Sequence, residues 1–205
     1  MMENDLRNVV LCIPNLGWLH TNLCDSIHRW RMWGASYYAP VGLKPNDHAR
    51  NSCAQYFLNE TAADYLWFVD HDTLPGLHAP VKLVAAQKDI ISGVTPVYTE
   101  DPNTGRMETV YMVLREGNAP DGSVGLIQYI GEGIERIDAC GASCLMIHRR
   151  VLESIPFPFR VRFDENGVCT MGQDISFCKT AKDADFEIFA HYDVPCGHVK
   201  DVTLR

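Results

Sequence analysis

The sequence predicts an α/β fold, a single domain with a mainly parallel, mixed central sheet flanked by helices. Three observations predict it. Short apolar runs alternate with helix-spaced segments through the first half, the pattern of a parallel sheet covered on both faces. The second half changes to strands separated by turn-rich loops. The chain has 205 residues, 46% of them hydrophobic, which is one domain's worth of core. No repeat, low-complexity tract or linker divides it.

The elements follow in order. Val9 to Ile13 reads as a buried strand closed by the loop Pro14 to Gly17. Leu19, Leu23, Ile27 and Trp30 recur at helical spacing and lay one apolar face on the sheet. Ala35 to Val41 reads as a second strand, and Asn46 as the N-cap of a helix through Leu58, with Ala49, Cys53 and Phe57 on one side. Tyr65 to Val69 is the next buried strand and stops at Asp70-His71-Asp72; Pro75-Gly76 breaks the chain and Pro80 suits the first turn of another helix. Strands are expected at Asp89 to Gly93, Thr109 to Leu114, Leu126 to Ile130, Cys144 to Ile147 and Phe186 to Phe189, with a loop from Asp101 to Gly105. Helices are expected around Arg149 to Ser154 and from Gln173 to Asp183.

A net charge of −8 argues against a nucleic-acid grip, which needs clustered Lys and Arg, and means that a phosphate ligand needs a metal to offset repulsion. No apolar stretch is long enough to span a bilayer, and Met1 to Asn8 is polar rather than a signal peptide, so a cytoplasmic protein is expected. The eight cysteines lack the paired short spacings of zinc sites. Cys12, Cys53, Cys140, Cys144 and Cys178 fall mostly on apolar faces and read as buried reduced thiols. Cys169, Cys196 and His198 remain a zinc alternative.

The chemistry starts at Asp70-His71-Asp72. Its carboxylates leave the C-terminal end of a buried strand, where open α/β sheets bind ligands. Hard cations such as Mg²⁺ or Mn²⁺ are held by one or two carboxylates together with the oxygens of a substrate diphosphate. The triplet by itself says little, because Asp183-Ala184-Asp185 repeats it in a charged, solvated stretch. The strand before it is what distinguishes the first copy.

Over most of its length the chain resembles the GT-A glycosyltransferases, particularly compact members related to family 2. Val9 to Ile13 with Pro14-Asn15 looks like the first nucleotide-binding strand and loop, and Ala49-Arg50-Asn51 like the segment that often precedes the metal strand. Tyr65 to Asp72 looks like that strand and its triplet. Gly141-Ala142-Ser143 through Ile147, then Arg149-Arg150-Val151, resembles the acceptor-side turn, strand and helix. Gly172-Gln173-Asp174 resembles the family's Gly-Glu-Asp segment, with Gln173 where Glu is usual, and Cys196-Gly197-His198-Val199 the C-terminal loop whose His ligates metal in many relatives.

The resemblance implies a metal-dependent transferase that moves a sugar from a nucleoside-diphosphate sugar to the hydroxyl of a glycan, lipid-linked or small-molecule acceptor. It divides the chain into a nucleotide-sugar-binding half, 1–98, and an acceptor-side half, 99–205. Asp72 and His198 would ligate Mn²⁺ or Mg²⁺, with Asp70 a ligand or a partner to the ribose. Pro14, Asn15, Arg50, Asp70, His71 and Asp72 would bind the nucleotide sugar, while Gly141, Ala142 and Gln173 would face the acceptor. Asp174 would be the general base of an inverting reaction.

Each assignment has a plainer counterpart. His198 reads equally as a surface histidine, Asp174 as a first-turn residue favoured by the helix dipole, and Arg50 as part of a solvated helix face. Trp67 and Phe68 belong to the core; Trp18 is the better candidate for stacking on a base. Tyr98 and Tyr111 are candidates for an acceptor groove. A retaining enzyme of the same fold, a non-catalytic nucleotide-sugar binder and a zinc-bound module stay open as alternatives. A nucleotidyltransferase is disfavoured, since Pro14-Asn15-Leu16-Gly17 lacks its Gly-rich, basic loop.

Overall fold

A computed structural model describes residues 4–100, 104–118 and 122–200. The first half runs β1 (Val9–Cys12), α1 (Thr21–Met32), β2 (Ser36–Tyr38), α2 (Asn46–Glu60), β3 (Tyr65–Val69), β4 (Thr73–Pro75), α3 (Ala79–Ala85), β5 (Ile90–Val94) and β6 (Pro96–Glu100). The second continues with β7 (Met107–Tyr111), β8 (Val113–Asn118), β9 (Val124–Gln128), β10 (Ile134–Ile137), β11 (Ala139–Cys140), β12 (Cys144–His148) and α4 (Arg149–Ser154). The hairpin strands β13 (Arg162–Phe163) and β14 (Cys169–Met171), helix α5 (Gln173–Asp183) and strand β15 (Ile188–His198) complete it.

The central sheet has the order β10-β15-β5-β12-β3-β1-β2, with β4 joined to the far end of β15. It is mixed, as expected, with more antiparallel pairing than the sequence suggests. β1 pairs parallel with β2 and β3, and β5 with β15, but β12 enters antiparallel between β3 and β5. Strands from either side of residue 98 therefore interleave in one sheet.

Period-two alternation divides the core into two layers. Val9, Leu11, Trp67, Val69, Ile91 and Met146 point to the face covered by Leu23, Ile27 and Trp30 of α1 and Leu83 of α3. Val10, Cys12, Leu66, Phe68, Ile90, Leu145 and Ile147 point to the other, under Cys53 and Phe57 of α2, Leu152 of α4 and Phe177 of α5. Trp67 and Phe68 are thus core residues on opposite faces, both fully buried. Cys12, Cys53, Cys140, Cys144 and Cys178 are buried free thiols, as their apolar surroundings predicted, and Cys196 joins them.

Several boundaries differ from expectation for local reasons. β2 is shorter than 35–41, because Pro40 has no N–H for the ladder; only the isolated bridge between Asn15 and Val41 continues the pairing. Asn46 is the first helical residue rather than the cap: Pro45 occupies that place and supplies no capping side chain. The single strand expected over Thr109 to Leu114 divides at Met112 into β7, which pairs with β6, and β8, which pairs with β9. The strand expected at 126–130 is β9, shifted toward the N-terminus. In the loop expected over 101–105, residues 101–103 lie outside the described residues.

The largest difference positions the site. The strand expected at 186–189 begins at Ile188, after Asp185 turns the chain with φ of 63°, and runs eleven residues. It pairs with β5, shifts register between His191 and Pro195, and then continues antiparallel to β4, with His198 opposite Thr73. Pro195 sits at the irregularity, where its missing N–H costs no ladder bond.

Candidate active site

β3, β4 and β15 together set the geometry. The Asp70 N–H donates to the Ser143 carbonyl at 3.0 Å, Thr73 N–H returns to the Asp70 carbonyl at 3.0 Å, and Val199 N–H donates to the Asp72 carbonyl at 2.8 Å. The triplet is thus a tight turn clamped by two other segments. Above it opens a cavity of about 350 Å³ lined by Pro14, Asn15, Leu16, Leu43, Asn46, Arg50, Asp70, His71, Asp72, His198 and Lys200.

Asp72 and His198 meet on the cavity wall. His198 Nδ1 lies 2.7 Å from the Pro96 carbonyl oxygen, and Nε2 lies 3.2 Å from Asp72 Oδ2. A carbonyl only accepts, so Nδ1 carries the hydrogen. In neutral imidazole Nε2 then turns its lone pair on the carboxylate, acceptor against acceptor. Either a proton on Nε2 or a shared cation resolves that contact. Lys200 Nζ donates to the same Asp72 oxygen at 3.2 Å. Burial pushes the Asp72 carboxyl up, but His198, Lys200 and His71 outweigh it and hold the group below the usual carboxylate range.

Asp70 has a different partner. Arg50, on α2, donates through Nη2 to both Asp70 oxygens, at 2.8 and 3.1 Å, and through Nη1 to the Ala142 carbonyl at 3.2 Å. Arg50 therefore lies on no solvated helix face. Its side chain is 5% exposed, and the nucleotide sugar it was expected to bind would compete with Asp70 for the same N–H groups. Burial pushes the Asp70 carboxyl up against the pull of Arg50, and the like charges of Asp174 and Asp72 add to that push.

Asp174 opens α5. Its Oδ2 accepts from Ala142 N–H at 3.2 Å, and its Oδ1 lies 3.8 Å from Arg50 Nε, beyond hydrogen-bond reach. Both of those atoms are buried without a hydrogen-bond partner, as is Gln173 Oε1. Gly141 leaves the space beside the carboxylate open: a Cβ there would stand 3.3 Å from Met112 Cβ and 4.0 Å from Asp174 Oδ2.

Other predicted residues take supporting places. Asn15 is buried, donating to the carbonyls of Ile13 at 3.1 Å and Pro40 at 3.3 Å and accepting from Gly17 N–H at 2.9 Å, so it shapes the loop beside Pro14. His71 lines the cavity with Trp18 packed edge-on against it at 4.4 Å. Tyr98 and Tyr111 are exposed on the β6–β7 ribbon and line no described cavity. Asp183, in the control triplet, is paired with Lys179 at 2.9 Å on the surface. Sequence reading missed Lys200, Leu16, Leu43 and Asn46. Lys200, two residues after His198, is the one that spacing could have flagged.

Among the described residues no three His, Cys, Asp or Glu side chains converge closely enough to enclose a metal alone. Cys169 is exposed on β14 while Cys196 is buried on β15, so the zinc alternative finds no assembled ligand set. Among the described residues no helix is long and apolar enough to cross a membrane.

An α/β domain with a charged cavity at its strand ends, where Asp70 and Asp72 stand beside Arg50, His71, His198 and Lys200, is the class that the fold and the site define. The fold is of the GT-A kind, and two solved structures share it. Protein A197 from STIV aligns with a TM-score of 0.63 and 19% identity, over 94% of this chain and 86% of that one. GalNAc-T7, crystallised with UDP, GalNAc and Mn²⁺, aligns with a TM-score of 0.56 and 10% identity over 95% of this chain. The chain spans 44% of that protein. No protein-family model matches the sequence, and no curated protein matches it.

Proposed function

We propose that this chain is a divalent-cation-dependent glycosyltransferase, taking a sugar from a nucleoside diphosphate and placing it on an acceptor hydroxyl with inversion. One observation carries the reading: His198, with Nδ1 held by the Pro96 carbonyl, sets Nε2 3.2 Å from Asp72 Oδ2, a nitrogen and a carboxylate oxygen that one cation can share, inside a cavity large enough for a ligand. A carbonyl behind a histidine is the usual support of a metal ligand. The donor set of one carboxylate oxygen and one imidazole nitrogen fits Mn²⁺ at least as well as Mg²⁺. Two protein ligands leave positions for diphosphate oxygens and water, as such cations require. The fold neighbour GalNAc-T7 was crystallised with UDP, GalNAc and Mn²⁺, which is consistent with the same use of this fold.

When bound, the cation supplies Lewis-acid stabilisation of the diphosphate leaving group. Asp72 and His198 would hold it, and Lys200, which now lies against Asp72, would be freed to face phosphate. Asp174 would take the acceptor proton at Oδ2, since Oδ1 is shut away toward Arg50. Ala142 N–H holds that carboxylate in place, and a base on the acceptor side gives inversion at the anomeric carbon.

The test is thermal stabilisation and turnover with a panel of nucleoside-diphosphate sugars, with and without Mn²⁺. Saturating donor at ~100 times its Kd adds about 2.7 kcal/mol to the native state. Asp72→Ala is expected to abolish the metal-dependent shift, and Asp183→Ala to keep it. Turnover undiminished by excess chelator, or equal losses in the two variants, would refute the reading. Stabilisation without turnover would identify a binder instead.

A further inference from the structure

We propose that Arg50 is a positioning residue for this transfer, holding Asp70 on the donor side and Asp174 on the acceptor side in one rigid array; this rests on the function proposed above. The guanidinium is engaged through both of its terminal nitrogens. Of the guanidinium's five N–H groups, two on Nη2 serve the Asp70 oxygens, one on Nη1 serves the Ala142 carbonyl, and Nε faces Asp174 Oδ1. The group rests over the Phe68 ring at 5.2 Å from its centroid. Four segments, namely α2, the end of β3, the turn before β12 and the start of α5, thus converge on one buried cation.

The turn is held twice over. Ala142 gives its N–H to Asp174 Oδ2 and its carbonyl to Arg50 Nη1, so the same residue, through its two flanking peptide units, steadies both the base and the guanidinium. Arg50 Nε and Asp174 Oδ1 face each other at 3.8 Å, and neither has a hydrogen-bond partner. A shift of under 1 Å closes that gap into a charge-assisted hydrogen bond. Asp70 and Asp174 each keep their places only while the fork lies between them. Without it, two like-charged carboxylates share a site from which the buried guanidinium has gone. Lysine cannot substitute, because an ammonium is a point charge with no plane, and cannot reach three fixed acceptors at once.

Asp72, His198 and Lys200 make no hydrogen bond to Arg50, so donor affinity is expected to survive its replacement while the alignment of base and donor does not. Small misplacements of reacting groups cost on the order of 10²-fold in rate. The experiment compares the wild type with Arg50→Lys at saturating Mn²⁺, well below both melting temperatures. The expected result is donor KM within about threefold and kcat lowered about 30-fold or more. A merely structural role would lower the folded fraction and leave the kcat of folded molecules unchanged. Wild-type kcat in Arg50→Lys overturns the proposal.

If Arg50→Lys does not fold, Arg50→Met combined with Asp70→Asn removes the buried charge together with its partner. The combination is expected to fall below Asp70→Asn alone in kcat, because Asp174 has lost its anchor; equality overturns the proposal. Should the wild type transfer no sugar from any donor, the proposed function fails and the positioning is read directly from carboxyl ¹³C shifts in Arg50→Lys, or in the Arg50→Met, Asp70→Asn protein for Asp174. Movement of the Asp174 carboxyl along with that of Asp70 supports one shared array. An unmoved Asp174 overturns it.

Discussion

A single hydrogen bond, from His198 Nδ1 to the Pro96 carbonyl, decides which ring nitrogen faces Asp72. Asp70, Asp72 and Asp174 stand at the boundaries of elements whose pattern is plain in the sequence, whereas His198 ends β15, whose pattern is not, and only the family resemblance singles it out. Arg50 was legible as a candidate but not in its partners. Its contacts with Asp70 and Ala142 span 20 and 92 residues of sequence, and no local spacing encodes them. At the same scale, Asp174→Asn is expected to keep donor KM within a few-fold and lose about 10²-fold or more in transfer rate, the usual worth of a general base. Transfer near the wild-type rate would leave Asp174 as a first-turn helix residue only. Gly93 makes a second residue-scale case. A Cβ there would stand 2.9 Å from the Val194 carbonyl oxygen, 2.9 Å from Cys144 Sγ and 3.0 Å from Cys196 Sγ. Gly93→Ala is expected to destabilise the fold by roughly 1–3 kcal/mol in denaturant titrations. Adding Cys196→Ala should restore only part, since the backbone oxygen stays; an unchanged midpoint in Gly93→Ala would contradict the close approach.

Elements with a clean period were legible, whereas elements shaped by partners were not. The buried strands β1, β3 and β12 announce themselves as continuous apolar runs. β15 does not, because Asp193, Pro195 and Gly197 read as breakers; its length comes from changing partner at the irregularity, from β5 to β4. The end of α2 carries another partner-made feature. Arg149 donates to the carbonyls of Ala63 at 2.8 Å, Thr61 at 2.8 Å, Phe57 at 3.1 Å and Leu58 at 3.3 Å, and lies over the Phe57 ring at 4.3 Å. It serves carbonyls at the helix end, sharing that of Phe57 with the Thr61 hydroxyl, which donates to it at 2.7 Å, and α2's own last turn has no basic residue to do so. Arg149→Met keeps much of the packing and removes the donors. A loss of about 2–4 kcal/mol is expected, seen as a melting temperature lower by roughly 5–10 °C. A shift under about 1 °C would show that water caps α2 as well as Arg149 does.

At the scale of the whole molecule, the two-layer core was foreseeable from alternation, while the sheet order was not, since a strand's apolar run does not name its neighbours. The layering also places the cysteines, and that placement is measurable. Cys12, Cys53, Cys140, Cys144, Cys178 and Cys196 are buried, and only Cys24 and Cys169 are exposed. A thiol reacts as its thiolate, so access and pKa act together. Burial, with the neighbouring Cys53 thiol adding to it, pushes Cys12 up, and the contact with Cys178 together with burial pushes Cys140 up. Cys144 goes the other way, lowered by a hydrogen bond from Cys196, yet it is enclosed under Gly93 between β12 and β15 and no reagent reaches it while the sheet is closed. A colorimetric thiol reagent at neutral pH is therefore expected to titrate two of the eight cysteines rapidly in the native protein and all eight in denaturant. The remaining six should react only at the rate of opening of the layers that hold them, slowing when a ligand stabilises the native state. Cys24→Ser with Cys169→Ser should remove the fast phase entirely. A fast phase that survives both substitutions would mean that one face of the sheet is open to solvent, and the two-layer packing would have to be redrawn around whichever cysteine reacts.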